Sequence, residues 1–391
     1  MSEFPYKIEQ CVWELTLRCN MRCADCRAAG AAMARRELTV QECLRVAEQL
    51  IEQGCRRVTF IGGEIFLYDG WDRIARRLDD GKVRVSVTTN GLLSGRKLID
   101  QLRRARPANI GVAIDGMEAG HEYVRGVPGS FRRAVDLMGR LRAEAFAVGV
   151  VTSLTESNVG DLPAMYDMLL GLGAEFWQIQ LAASAAGPAG PSGPALGTAQ
   201  MPDVTRFIAE KRAEGSIRIH ADDEIGHYAA HEPPPDGSTA LGQAQGPEQS
   251  RGESSPQSGK PGTAAVWRGC QAGLRGAGID SAGNVRGCQA LADERFIEGN
   301  LHTQTLAEIW RRPGAFSCNR RFQPRPPEGQ PTGCDMGRIC RAGCRSVCFF
   351  AAGQANGNPY CRRRPTTVPV RLVARKAPAA RTTQQAPAQG T

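Results

Sequence analysis

The chain has 391 residues, 41% hydrophobic and 23% charged, with a formal net charge of +9. This is a globular composition, too long for one ordinary core, so two domains are expected. Its start, MSEFPYKIEQ, lacks the basic and apolar regions of a signal peptide, and no apolar run approaches the roughly 18–20 residues of a spanning helix. No membrane association is expected, and the cytoplasm is the expected location. Without a secretion signal, fourteen cysteines point to metal or catalytic use rather than disulfides.

In chain order, strands are expected at Val12–Leu17, Arg57–Ile61, Val83–Thr89, Asn109–Ile114, Ala147–Leu154 and Phe176–Leu181. Between the first two lies an amphipathic helix over Leu38–Gln53, with Thr39 and Glu42 at capping-box spacing and Gly54 as the stop. Ser130 is expected to cap a second helix over Phe131–Ala145. Repeated βα units predict a parallel sheet with outer helices over residues 1–230, curled by right-handed crossovers toward a full or partial barrel. Chemistry in such barrels sits at the C-terminal ends of the strands.

From 231 to 265 the chain turns to Pro, Gly, Ser and Gln, where no apolar face can form, so a flexible linker or insertion is expected. A cysteine-rich block follows over 266–364, and 365–391 reads as a disordered basic tail. Arg362–Arg381 holds seven basic residues and no acidic ones, but no interleaved aromatics, so no nucleic-acid partner is expected. Cys11, Cys43 and Cys55 stand apart from the other cysteines and read as small buried hydrophobes.

Residues 15–26, LTLRCNMRCADC, give a C-x3-C-x2-C spacing at Cys19, Cys23 and Cys26, just after the first strand. Three thiolates on a short loop can hold three irons of a [4Fe–4S] cubane and leave the fourth open to a small molecule. Zinc would call for a second pair of ligands, and no such pair appears in this domain.

The triplet, together with the motifs at the strand ends, resembles the radical S-adenosylmethionine (SAM) superfamily. Gly62, Gly63 and Glu64 come directly after the second strand, where the resemblance implies binding of the amino group of SAM's methionine moiety. Two glycines permit close backbone approach, and a carboxylate pairs with an ammonium. Thr89 and Asn90 match positions near SAM, and Asp115, His121 and Arg125 are in step with the family's SxDG…H…R…GSF segment. Arg125 is the implied partner of the SAM carboxylate, and Leu181 takes the adenine-facing position, whereas His121 by itself reads as structural. Gln178 and Gln180 share one side of their strand, able to point into the barrel. Two departures are Asp25, where an aromatic is common, and Ala113, where serine is expected.

The later block, Cys270-x12-Gly283-x4-Cys288, then TGCDMGRICRAGCRSVC and NPYC, resembles the SPASM extension of radical SAM enzymes. The resemblance implies two auxiliary [4Fe–4S] clusters, the nearer on Cys270, Cys288 and Cys344, the farther on Cys334, Cys340 and Cys361. Pro331 stands where a ligand cysteine is expected, and Cys318 and Cys348 are extra, candidate substitutes. A zinc site is the alternative for the farther position. The expected fold class is therefore α/β: a partial (β/α)6 radical SAM barrel followed by a small, cysteine-rich, loop-rich SPASM domain binding auxiliary iron–sulfur clusters.

The implied chemistry is reductive cleavage of SAM to a 5′-deoxyadenosyl radical, fed by an external donor such as flavodoxin or ferredoxin, then hydrogen abstraction. SPASM enzymes mostly act on peptides, giving crosslinked, epimerised or oxidised residues, so a ribosomally made peptide is the expected substrate. Sulfatase-type oxidation is disfavoured, because Gln289 stands where those enzymes place an Asp base after the G-x4-C cysteine. No leader-binding domain is expected ahead of the first strand, which suggests a separate leader-peptide-binding protein or recognition by the bridge between barrel and cysteine block. The alternatives are a tetrapyrrole or cofactor-precursor substrate, and an iron–sulfur protein without catalysis.

Overall fold

The computed structural model describes residues 4–23, 26, 36–182, 189–190, 193–194, 196–221, 225, 269–322, 341 and 343–352. The expected linker and tail, Asp25, Pro331, Cys334, Cys340 and Cys361 lie outside the described residues.

Strand and helix alternate from the start: β1 (Gln10–Glu14), α1 (Val40–Glu52), β2 (Arg57–Ile61), α2 (Trp71–Asp80), β3 (Arg84–Thr89), α3 (Arg96–Ala105) and β4 (Asn109–Ala113). Two helices, α4 (Glu118–Arg125) and α5 (Ser130–Ala143), precede β5 (Val148–Leu154), α6 (Leu162–Leu172) and β6 (Phe176–Leu181). A short ribbon, β7 (Ala189–Gly190) with β8 (Gly193–Pro194), leads to α7 (Met201–Glu214) and β9 (Arg218–Ala221). Strands β1 to β6 and β9 run parallel in one sheet.

The period-2 pattern decides which face each side chain takes. Val58, Phe60, Val85, Val87, Ile110, Val112, Val148 and Val150 are buried in one core with helix residues such as Leu50, Ile74, Leu102 and Leu137. Trp177 follows the same rule: its ring meets Phe207 of α7, and its Nε1 donates to Thr152 Oγ1 at 2.8 Å. The alternate positions, among them Thr88, Val151, Ser153 and Gln180, line the interior cavity.

Helix α1 starts as expected, with the Thr39 hydroxyl accepting from Glu42 N and the Glu42 carboxylate accepting from Thr39 N. Helix α5 corrects one expectation. Its cap is Gly129, at φ +74, and Ser130 is already inside the helix, because only glycine takes that left-handed turn cheaply. The first strand also runs earlier than expected. After Leu15 N donates to Ile61 O, the chain leaves the sheet, and Thr16 Oγ1 and Leu17 N donate to Glu37 Oε1.

The cysteine-rich block does not fold apart from the barrel. Its β10 (Gly276–Ile279) pairs parallel with β1, Gln10 opposite Gly276 and Trp13 opposite Ile279. Antiparallel β11 (Asn284–Arg286) and β12 (Gly299–Asn300) then widen the sheet to ten strands, in the order β12-β11-β10-β1-β2-β3-β4-β5-β6-β9. Helix α8 (Leu306–Arg311) locks the seam through Trp310 Nε1 to Tyr6 O at 3.1 Å and Leu306 N to Gln49 Oε1 at 2.6 Å. Helices α9 (Ser317–Arg320) and α10 (Arg345–Ala352) complete the described block. Among the described residues no helix is long and apolar enough to cross a membrane.

Candidate active site

Parallel strands point their C-terminal ends the same way, so the loops after β1, β2, β3, β4 and β6 converge. They enclose a cavity of about 270 Å³. Cys19, Cys23, Cys26, Gly62, Gly63, Thr89, Asn90, Asp115, Arg125 and Leu181 all line it, as do Ala113 and Gln180. Residues far apart in the chain thus meet on one face.

The cysteine loop is held from below by the two glycines. A Cβ on Gly62 would lie 2.7 Å from Thr16 O, and one on Gly63 would lie 2.4 Å from Arg18 O. Gly63 N donates to Thr16 O at 2.7 Å and Glu64 N to Arg18 O at 2.8 Å. These glycines therefore permit close approach of the cysteine loop itself, a constraint that precedes any contact with a ligand.

Glu64 is not part of the cavity wall. Its carboxylate, 1% exposed, accepts from Thr89 Oγ1 (2.9 Å), Phe66 N (3.2 Å) and Asn90 N (2.8 Å), tying the end of β3 to the loop after β2. Burial pushes its pKa up to about 7 against the pull of those hydrogen bonds. Asn90 extends the tie, its Nδ2 lying 2.7 Å from Asn20 Oδ1 and 3.7 Å from Cys19 Sγ.

Across the cavity, Arg125 Nη2 meets Asp115 Oδ2 at 2.6 Å, with the side chains 15% and 5% exposed. Arg125 Nη1 also reaches Cys23 Sγ at 4.0 Å, and Asp115 Oδ1 accepts from Ser153 N at 2.9 Å. His121 is fully buried, its Nδ1 accepting from Asp115 N at 3.2 Å and its ring edge-on to Phe131. Burial first, then the Arg125 charge, hold it down to about 4, so it is a neutral support for the Asp115 turn. On β6, Gln180 Nε2 donates to Ser153 Oγ at 3.0 Å.

The donor set suits an iron–sulfur cluster. Cys19 Sγ accepts from Met21 N at 3.4 Å, beside the Asn90 and Arg125 contacts to Cys19 and Cys23, so N–H groups already face the sulfurs as thiolates held by iron require. Burial raises the pKa of both thiols, a penalty that coordination by iron offsets. Among the described residues no group of three His, Cys, Asp or Glu side chains is gathered tightly around one point. In the later block, Cys270 packs with Ala272 and Leu291, and Cys288 lies against them. Cys11, Cys43 and Cys55 are buried in the barrel, as expected.

One residue escaped the sequence reading. Glu14, the last residue of β1, pairs with Ile61 on the cavity wall and accepts from Ser281 N at 3.4 Å and from Gln289. Burial and the neighbouring Asp280 carboxylate push its pKa up to about 7. Its only sequence signal is an acid in an otherwise apolar strand, VWEL.

Residues 13–169 match the radical SAM superfamily, and residues 270–345 match SPASM, an iron–sulfur cluster-binding domain. The AdoMet-dependent heme synthase of Methanosarcina barkeri is 26% identical over 358 residues, covering 90% of this chain and 96% of that protein. Mycofactocin maturase MftC of Mycobacterium ulcerans is 24% identical, covering 89% of this chain and 86% of that protein. The crystal structure of Streptococcus suis SuiB bound to SAM superposes with a TM-score of 0.70 at 12% identity, covering 91% of this chain and 78% of that one. A second SuiB crystal holds the precursor peptide SuiA, with the same TM-score. With the cluster loop, the converging strand ends and the second cysteine block in place, the chain belongs to the radical SAM superfamily, as a radical SAM domain followed by a SPASM domain whose cofactors are [4Fe–4S] clusters and SAM.

Proposed function

We propose that this enzyme abstracts hydrogen from a ribosomally made peptide, leaving a crosslinked, epimerised or oxidised residue. The observation that carries the reading is the polarity of the inner wall beside the SAM cavity. Ser153, Gln178 and Gln180 present neutral hydroxyl and amide groups, which can donate to and accept from peptide groups alike. Among the described residues lining the cavity the cation is Arg125, already engaged by Asp115. A substrate rich in free carboxylates would call for more.

In this reading Cys19, Cys23 and Cys26 hold the SAM-cleaving cluster, and SAM's methionine end lies against Gly62, Gly63 and Asn90. Glu64 and Thr89 brace that edge, Asp115 holds Arg125 toward the SAM carboxylate, and Leu181 offers an apolar face to the adenine. Bound there, SAM and the reduced cluster supply a 5′-deoxyadenosyl radical. The chain's own residues position the target hydrogen and exclude water. Cys270, Cys288 and Cys344 serve one auxiliary cluster, and Cys334, Cys340 and Cys361 another. A cytoplasmic location, a flavodoxin or ferredoxin donor and a separate leader-binding protein belong to the same proposal.

The near full-length match to AdoMet-dependent heme synthases favours a second reading, a tetrapyrrole substrate. Co-expression with a candidate neighbouring peptide in heavy water separates the two. Loss of hydrogens without added deuterium supports crosslinking or oxidation, and deuterium gained at one residue supports epimerisation. An unchanged peptide, from enzyme that still makes 5′-deoxyadenosine and shifts the Soret band of an added iron porphyrin, moves the assignment to the tetrapyrrole.

A further inference from the structure

We propose that Cys318 is the fourth thiolate of the auxiliary cluster nearer the barrel, completing the set of Cys270, Cys288 and Cys344. The inference rests on the assignment of those three cysteines to one cluster. Three thiolates leave one iron of a cubane without a protein ligand, and an iron sheltered by protein takes a fourth thiolate when one is in reach.

The reach is set by Asn319, the residue after Cys318, which is fully buried in α9. Its side-chain Nδ2 donates to Cys270 O at 3.2 Å and to Ala272 O at 2.8 Å. Its Oδ1 accepts from Arg345 Nε at 3.0 Å, and Arg345 is the residue after Cys344. One buried amide therefore ties the neighbour of Cys318 to Cys270 itself and to the neighbour of Cys344. Cys288 joins through the apolar cluster it shares with Cys270, Ala272 and Leu291. The segments carrying Cys270, Cys288, Cys318 and Cys344 are thus linked through Cys270 and Asn319.

The local charge has the matching sign. Arg341 donates to Asn319 O, and the Arg341 and Arg345 guanidiniums lie over the Phe322 ring at 5.3 and 4.3 Å. Four thiolates on a cubane carry net negative charge, which two partly or fully buried guanidiniums offset. Cys348 is the competing cysteine. It lies one turn along α10 from Cys344, its N donating to Cys344 O at 3.0 Å. The tie through Asn319 to Cys270 distinguishes Cys318 from it.

The test uses the full chain with Cys19, Cys23 and Cys26 all replaced by alanine, so that every cluster formed on anaerobic reconstitution is auxiliary. Iron and sulfide per chain and the electron paramagnetic resonance (EPR) spectrum are the readouts, with no dependence on turnover. Cys318→Ala is expected to lose one cluster's worth of iron or to leave a three-iron cluster with its own oxidised signal. Cys318→Ser, which keeps the shape and offers an oxygen ligand, is expected to hold the iron with a shifted spectrum, and it decides the matter if the alanine variant fails to fold. Cys348→Ala is expected to leave both readouts unchanged. Parent-like iron and spectra in both Cys318 variants, together with loss in Cys270→Ala, overturn the proposal alone. If Cys270→Ala is also parent-like, the assignment of the cluster itself falls with it. Loss of the cluster in Cys348→Ala with retention in Cys318→Ala gives the position to Cys348.

Discussion

Gly63→Ala tests the claim that the glycines after β2 exist to let the cysteine loop sit close. The added Cβ would lie 2.4 Å from Arg18 O, 2.7 Å from Leu17 O and 2.8 Å from Arg18 C. All three are backbone atoms, so no side-chain rotation relieves the contact. Ordinary van der Waals separation then demands that the loop retreat by about 1 Å. That movement strains two hydrogen bonds, Gly63 N to Thr16 O and Glu64 N to Arg18 O. At about 1 kcal/mol for each bond and about 1–3 kcal/mol for the overpacking, the loss is roughly 3–5 kcal/mol. The loop carries Cys19, so iron bound at the first site should fall with stability. Urea unfolding followed by circular dichroism, with iron per reconstituted chain, measures both. Gly139→Ala is the opposite control: it lies in α5 with nothing within 4 Å of its Cβ, and should stabilise by about 0.5–1 kcal/mol. A Gly63→Ala protein with the parent's urea midpoint and iron content would refute the argument.

Asp115→Asn leaves the Arg125 guanidinium buried without its carboxylate, beside a neutral amide and Cys23 Sγ, and should destabilise by about 3–5 kcal/mol in urea unfolding, with partial recovery in Asp115→Asn/Arg125→Met. Thr39→Ala removes an exposed capping box and should cost about 1 kcal/mol, read as a lower urea midpoint with unchanged slope. Glu14 has a pKa raised from 4.5 to about 7, so the fold favours its neutral form. Its contribution is complete below pH 4.5 and is lost as pH rises through 7. Glu14→Gln, which cannot titrate, should therefore gain stability relative to the parent across that window, by up to about 3 kcal/mol. Stability profiles of parent and variant that run parallel from pH 4.5 to 8 would exclude that coupling. The buried histidines, whose depressed pKa values act in the opposite direction, are common to both proteins and cancel in the difference.

The sequence by itself determined everything that depends on near neighbours. The triplet is legible because one short loop holds all three cysteines, and α1 because its cap, its buried stripe and its glycine stop fall within sixteen residues (39–54). The six strands are legible because each is a short run rich in apolar and β-branched residues at consecutive positions. Only the tertiary structure decided what depends on register between distant segments. The pairing of β1 with β10 joins residues some 266 positions apart, and no local window carries that information. It brings Glu14 to Gln289, a carboxylate beside the position where the sequence offered only an amide. Glu64 read as a ligand-facing acid. The donors from Thr89 and Asn90 that also hold its carboxylate reach it only because β3 lies in register beside β2. The SPASM spacing named three cysteines of one cluster and left Cys318 and Cys348 equal. What separates them is a buried amide on Asn319, whose partners are chosen by chain packing rather than by spacing along the chain.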